Sequence, residues 1–96
     1  MRPSQALNLH RERIREIALR HRVAGVSVFG SAIHGDDEEG SDLDLLVAPL
    51  PGTTLFDLGG LQEELEELMG LRVDVRTPKD LPPTFRAQVL AEARPV

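Results

Sequence analysis

Two apolar runs with unusual punctuation stand out in the hydrophobic pattern: Val23 to Phe29 halts at Gly30-Ser31, and Asp42 to Ala48 opens on one carboxylate and carries another, Asp44, among aliphatic residues. Both read as strands. Ahead of them, Leu7, Ile14, Ile17 and Ala18 recur at helical spacing and predict one helix from Ser4, as its N-cap, to about His21. Behind them, Pro49-Leu50-Pro51-Gly52 is loop chemistry. Leu58, Leu61, Leu65 and Leu68 then form the stripe of a helix from Thr54 or Asp57 to Met69, with Gly70 as its closing residue. Leu71 to Arg76 alternates, placing Val73 and Val75 on one face and Arg72, Asp74 and Arg76 on the other. Pro82-Pro83 lead into a last helix with Phe85, Val89 and Leu90 as apolar contacts, ended by Pro95.

The predicted order is helix, strand, short helix, strand, helix, strand, helix. That is an α/β (α+β) fold, a small mixed β-sheet covered by helices. With 96 residues, 41% of them hydrophobic, we expect one domain spanning residues 1–96. There is no cysteine, so disulfides, thiolate metal sites and cysteine nucleophiles are excluded. No apolar run has signal-peptide or membrane-spanning length, and the expected location is the cytoplasm.

Charge changes this picture more than composition does. The net charge of −5 divides into +4 over residues 1–22, −11 over 23–71 and +2 over 72–96. An acidic middle, three Phe and no Tyr or Trp argue against a stand-alone nucleic-acid binder, which needs a basic track and stacking platforms. The arginines of the first helix read as a solvated face, His10 and His21 as helix-surface residues, and Asp36 to Glu39 as a solvated loop.

The acids inside strands call for chemistry. Strand alternation sends Asp42 and Asp44 to one face with Cα atoms roughly 6.5–7 Å apart. A sheet that sets the third strand beside the second brings Asp74 to the same end. Such carboxylates raise one another's pKa, and a divalent cation relieves them. Gly30-Ser31, at the end of the first strand, offers a close backbone approach and a hydroxyl beside free N–H groups. Two other motifs fail on inspection. Gly30 and Gly35 have Walker A spacing, but Asp36 occupies the lysine position. With Gly40 at the turn of an EF-hand, Gly35 is the first ligand and Leu46 stands where the bidentate Glu belongs.

Gly30-Ser31, ten residues, then Asp42-x-Asp44, within Phe-Gly-Ser…Gly…Ser-Asp-Leu-Asp-Leu-Leu-Val, resembles the signature of the DNA polymerase beta-like nucleotidyltransferases, and specifically the minimal nucleotidyltransferases. The resemblance implies nucleotide binding by Gly30, Ser31 and Ser41. It implies metal binding and catalysis by Asp42, Asp44 and Asp74, with Mg²⁺ or Mn²⁺ as cofactor and ATP as substrate. It further implies AMP transfer to a tyrosine hydroxyl of an all-helical HEPN-type toxin, in a hetero-oligomeric toxin–antitoxin pair. Lack of a substrate-binding second domain fits an acceptor presented by another protein. The chain departs from the frequent Gly-Ser-x-Ala-Arg-Gly pattern at Ile33-His34, where His34 replaces the arginine; His is largely uncharged at neutral pH. An alternative therefore stands beside the enzyme, an inactive antitoxin that neutralises its partner by occlusion. A nucleotidyltransferase of small molecules is a third reading.

Overall fold

The computed structural model describes all 96 residues. The elements are α1 (Pro3–Leu9), α2 (Arg11–Arg20), β1 (Val23–Phe29), the 3-10 helix η1 (Gly30–His34), β2 (Leu43–Pro49), α3 (Leu55–Met69), β3 (Val73–Arg76), the 3-10 turn η2 (Pro78–Asp80), α4 (Pro83–Glu92) and β4 (Arg94–Pro95). The sheet order is β3-β2-β1-β4. β1 runs antiparallel to β2 and β4, and β2 and β3 are parallel. The mixed sheet and its helical cover match the sequence expectation.

The pattern of side chains explains the layering. Val23, Val28, Leu43, Leu45, Val47 and Val73 are buried against Ile14, Ile17 and Ala18 of α2 and Leu61 and Leu65 of α3. Burying each of these larger aliphatic side chains contributes about 1.5–3 kcal/mol. A register shift between Val23 and Gly25 moves the alternation by one, so that Val28 faces the helices and Phe29 faces away. α3 starts on a reciprocal cap: Thr54 Oγ1 accepts from Asp57 N, and the Asp57 carboxylate accepts from Thr54 N. It ends on Gly70 at φ +68°, the expected left-handed stop.

The expected first helix is two helices, broken at His10. Ser4 does not cap α1; its N–H donates to Asp37 Oδ2 at 2.8 Å, and Arg2 Nη1 donates to Gly35 O at 3.1 Å. These ties, made 33 residues away, hold α1 against the loop after η1. They also correct the reading of Asp36 to Glu39, because Asp37 is only 4% exposed. His21 is likewise no plain surface residue. Its Nε2 lies 2.9 Å from Glu64 Oε1, and a Cβ on Gly60 would stand 3.1 Å from its ring, which accounts for a glycine inside α3. α4 buries no residue, and Phe85 and Leu90 are half exposed. Pro95, expected to end that helix, instead lies in β4.

β3 is an edge strand whose outward N–H groups are taken by α3: Val73 N donates to Glu66 Oε2 at 3.0 Å and Val75 N to Gln62 Oε1 at 3.2 Å. On the opposite edge, Val96 N donates to Val26 O and Arg15 Nη1 donates to Val96 O at 2.7 Å. No helix is long and apolar enough to cross a membrane.

Candidate active site

The face of the sheet turned away from α2 and α3 carries a row of three residues in register. Phe29 of β1 pairs with Asp44 of β2, and Asp44 pairs with Asp74 of β3. β1 ends at Phe29, and Gly30, the next residue, turns the chain into η1 at φ +76°. The approach there is close: a Cβ on Gly30 would stand 2.5 Å from Asp44 Oδ2 and 3.3 Å from its Cγ. The left-handed backbone conformation favours glycine, and any side chain here would also have to push the Asp44 carboxylate aside. The turn that opens η1 and the central acid are one packing unit.

Electrostatics follow from that placement. Asp44 is half buried, and its carboxyl is pushed up by burial first, then by the charges of Asp74 and Asp42, against a smaller downward pull from Arg76. Asp74 Oδ2 accepts from Arg76 Nε at 2.9 Å, and Asp42 Oδ1 lies 3.9 Å from Arg72 Nε. Asp42 is exposed just ahead of β2. No group of three acidic or histidine side chains is gathered as a metal cage; the outer two acids each have an arginine nearby. The donor chemistry nonetheless fits a hard divalent cation. All three groups are carboxylates, and Asp44 resists ionisation through burial first and the charges of Asp74 and Asp42 second, a penalty that a cation at this position would offset.

Ser31 is exposed near the start of η1, and His34 is exposed at its last position, ahead of Gly35 at φ +72°. Ser41 is tied into a local turn: its Oγ accepts from Glu38 N at 3.4 Å, and Ser41 N donates to Glu38 O. The structure brings Gly30, Asp44 and Asp74 together, leaves Ser31 exposed next to Gly30, and gives the Ser41 hydroxyl a local partner.

A cleft of about 320 Å³ opens on the row, with Phe29, Asp44, Asp74 and Arg76 on one wall. Leu81, Pro82, Phe85 and Val89, from the segment running into α4, form the other. Sequence reasoning assigned the α4 residues to helix packing and missed this wall. The available signal was their weak periodicity, which gives that helix no continuous stripe to bury.

A family model described as polymerase beta, nucleotidyltransferase matches residues 12–96. The chain belongs to this nucleotidyltransferase family. Within it, the chain is 39% identical over 87 residues to a candidate protein adenylyltransferase of Methanocaldococcus jannaschii, covering 91% of this chain and 94% of that one. It is 37% identical over 86 residues to the protein adenylyltransferase MntA of Thermococcus cleftensis, covering 90% and 84%. Among solved structures, a candidate minimal nucleotidyltransferase superposes with a TM-score of 0.86 at 44% identity, over 97% of this chain and 95% of the other. A toxin–antitoxin crystal structure with AMP-PNP superposes at 0.73 with 17% identity, over 88% and 69%, a likeness of fold. The nucleotidyltransferase fold expected from Gly30-Ser31 and Asp42-x-Asp44 is therefore the fold of this chain.

Proposed function

We propose that this nucleotidyltransferase domain, residues 1–96 acting as one unit, transfers AMP from ATP to a tyrosine hydroxyl of a HEPN-type toxin and so serves as its antitoxin. The observation that carries the reading is the contact of Gly30 with Asp44, which joins a turn suited to phosphate to the middle of a carboxylate row. The named relatives, protein adenylyltransferases, support the acceptor being a protein. Structures of toxin–antitoxin pairs among the fold neighbours support a toxin partner.

In this reading Gly30, Ser31 and Ser41 bind the triphosphate through backbone N–H groups and hydroxyls. Asp42, Asp44 and Asp74 would hold Mg²⁺ or Mn²⁺, which would supply charge neutralisation for the triphosphate. The acceptor hydroxyl oxygen forms a bond to the α-phosphorus, the bond from that phosphorus to the oxygen bridging to the β-phosphate breaks, and pyrophosphate leaves. The hydroxyl proton passes to Asp74, whose place on β3 faces the cleft where an acceptor enters. Most of the rate comes from holding the two reactants in line.

The test combines Asp42→Asn with Asp44→Asn and follows label from α-labelled ATP into the purified toxin partner. Transfer is expected to vanish; undiminished transfer would refute the site. One pair of observations favours a second reading, neutralisation by occlusion: Asp42 and Asp74 lean on arginines, and His34 replaces the usual arginine. Under that reading the double variant still protects cells from the toxin as well as the parent does.

A further inference from the structure

A second cavity, of about 360 Å³, lies between α1, η1 and β4. It opens on the side of β1 that carries Val28, whereas Phe29, the next residue, faces the carboxylate row. It shares no lining residue with the catalytic cleft.

Three arginines from distant parts of the chain meet on its wall: Arg2 ahead of α1, Arg11 at the start of α2 and Arg94 in β4. No Asp or Glu lines it, although the chain as a whole carries a charge of −5. The arginine–carboxylate ion pairs of the protein fall elsewhere, on Arg13, Arg20, Arg72 and Arg76. Arg2 spends one N–H on Gly35 O, and Arg11 donates to Asn8 Oδ1 at 2.9 and 3.1 Å and to Pro95 O at 3.5 Å, all neutral acceptors. Arg2 also acts on the buried Asp37, which offsets part of one charge; Arg11 and Arg94 make no ion pair. The wall is held in shape by that acid, because Asp37 fixes Ser4, itself a lining residue.

Arginines lining one cavity with no acid on its wall repel one another, and the planar fork of a guanidinium can engage two oxygens of a negatively charged phosphate group at once. The cavity volume suits a few phosphate units and is too small for a folded segment. We propose that it binds a linear polyphosphate, either free pyrophosphate or the phosphate tail of a nucleotide, at a site separate from the catalytic row. Ala32, Ile33 and Gly35 form its η1 wall. An occupant therefore rests on the same five-residue helix whose first residue abuts Asp44.

The proposal does not depend on transfer, so its test uses the full chain with Asp42→Asn and Asp44→Asn. This protein is titrated calorimetrically in EDTA with pyrophosphate and, separately, with ATP. Arg94→Ala and Arg94→Lys are then added singly; the Arg94 side chain has no ion pair to lose, and unchanged melting confirms the fold. Saturable binding is expected, weakened about 10-fold or more by Arg94→Ala, less by Arg94→Lys, and further when Arg11→Ala is combined with Arg94→Ala. Binding of both anions assigns recognition to the phosphates alone; arginine-dependent binding of ATP only assigns it to a nucleotide. Binding that the arginine substitutions leave unchanged, or no binding of either anion, overturns the site.

Discussion

Replacing Gly30 with alanine separates a backbone effect from a catalytic one. At φ +76° an L side chain costs about 1–2 kcal/mol relative to glycine. The new Cβ also falls 2.5 Å from Asp44 Oδ2, about 1 Å inside the ordinary carbon contact of roughly 3.5–4 Å, so the carboxylate must rotate away. Gly70→Ala is the matched control, with φ +68° and nothing within 4 Å of its added Cβ. Backbone strain alone lowers Tm by about 4–16 °C in a domain of this size, at about 4–8 °C per kcal/mol. Both variants are expected to show that loss by thermal unfolding. They part in the label-transfer assay, run well below both melting points. Displacing a reacting group by 1 Å costs on the order of 100-fold, so Gly30→Ala loses transfer on that scale while Gly70→Ala keeps it. If Gly30→Ala transfers label at the parental rate with the same Tm loss as Gly70→Ala, Asp44 does not act where we place it.

Three further outcomes follow from the same geometry. Asp44, pushed up by burial and by Asp74 and Asp42, penalises the folded state when ionised; metal-free Asp44→Asn should therefore melt higher than the parent at pH 7. That gain should shrink as pH falls through the raised folded pKa and disappear below about pH 4, and a gain that persists there contradicts the electrostatic account. Burial pushes the Asp37 carboxyl up, but the Ser4 N–H and hydroxyl outweigh it and leave it below the ordinary value, so its stabilisation is present at neutral pH and fades in acid. Asp37→Ala leaves the Ser4 N–H without its partner and should cost about 1–3 kcal/mol in urea unfolding at pH 7. His34→Arg places a fixed positive charge at the end of η1 and should lower the KM for ATP with little change in kcat; an unchanged KM removes this position from phosphate binding.

Local chemistry made much of this molecule readable. β1 was legible because a largely apolar run ends at Gly30, and α3 because its leucine stripe lies between a Thr54 cap and Gly70. The Asp44–Asp74 pairing was foreseeable because both acids interrupt aliphatic strands. What escaped depends on partners far away in sequence. The break at His10 goes with α1 being tied to the loop at Gly35 and Asp37, and no periodicity encodes contacts across 33 residues. Gly60, a poor helix former inside α3, is explained only by the His21 ring packed against it from the end of α2. The α4 wall of the cleft has the composition of a packed helix but faces an opening, and composition alone cannot tell the two apart.

The side chains of Glu66 and Gln62, one turn apart on α3, occupy the outward amides of β3. An edge strand with free N–H groups is a template on which another chain can extend the sheet. Here the template is blanked by the protein's own helix, and the other edge is partly covered by β4. Two consequences follow for the β3 edge: copies of the domain do not extend the sheet there, and a protein arriving at that edge must recognise side chains and shape, because the outward amides of β3 are already taken.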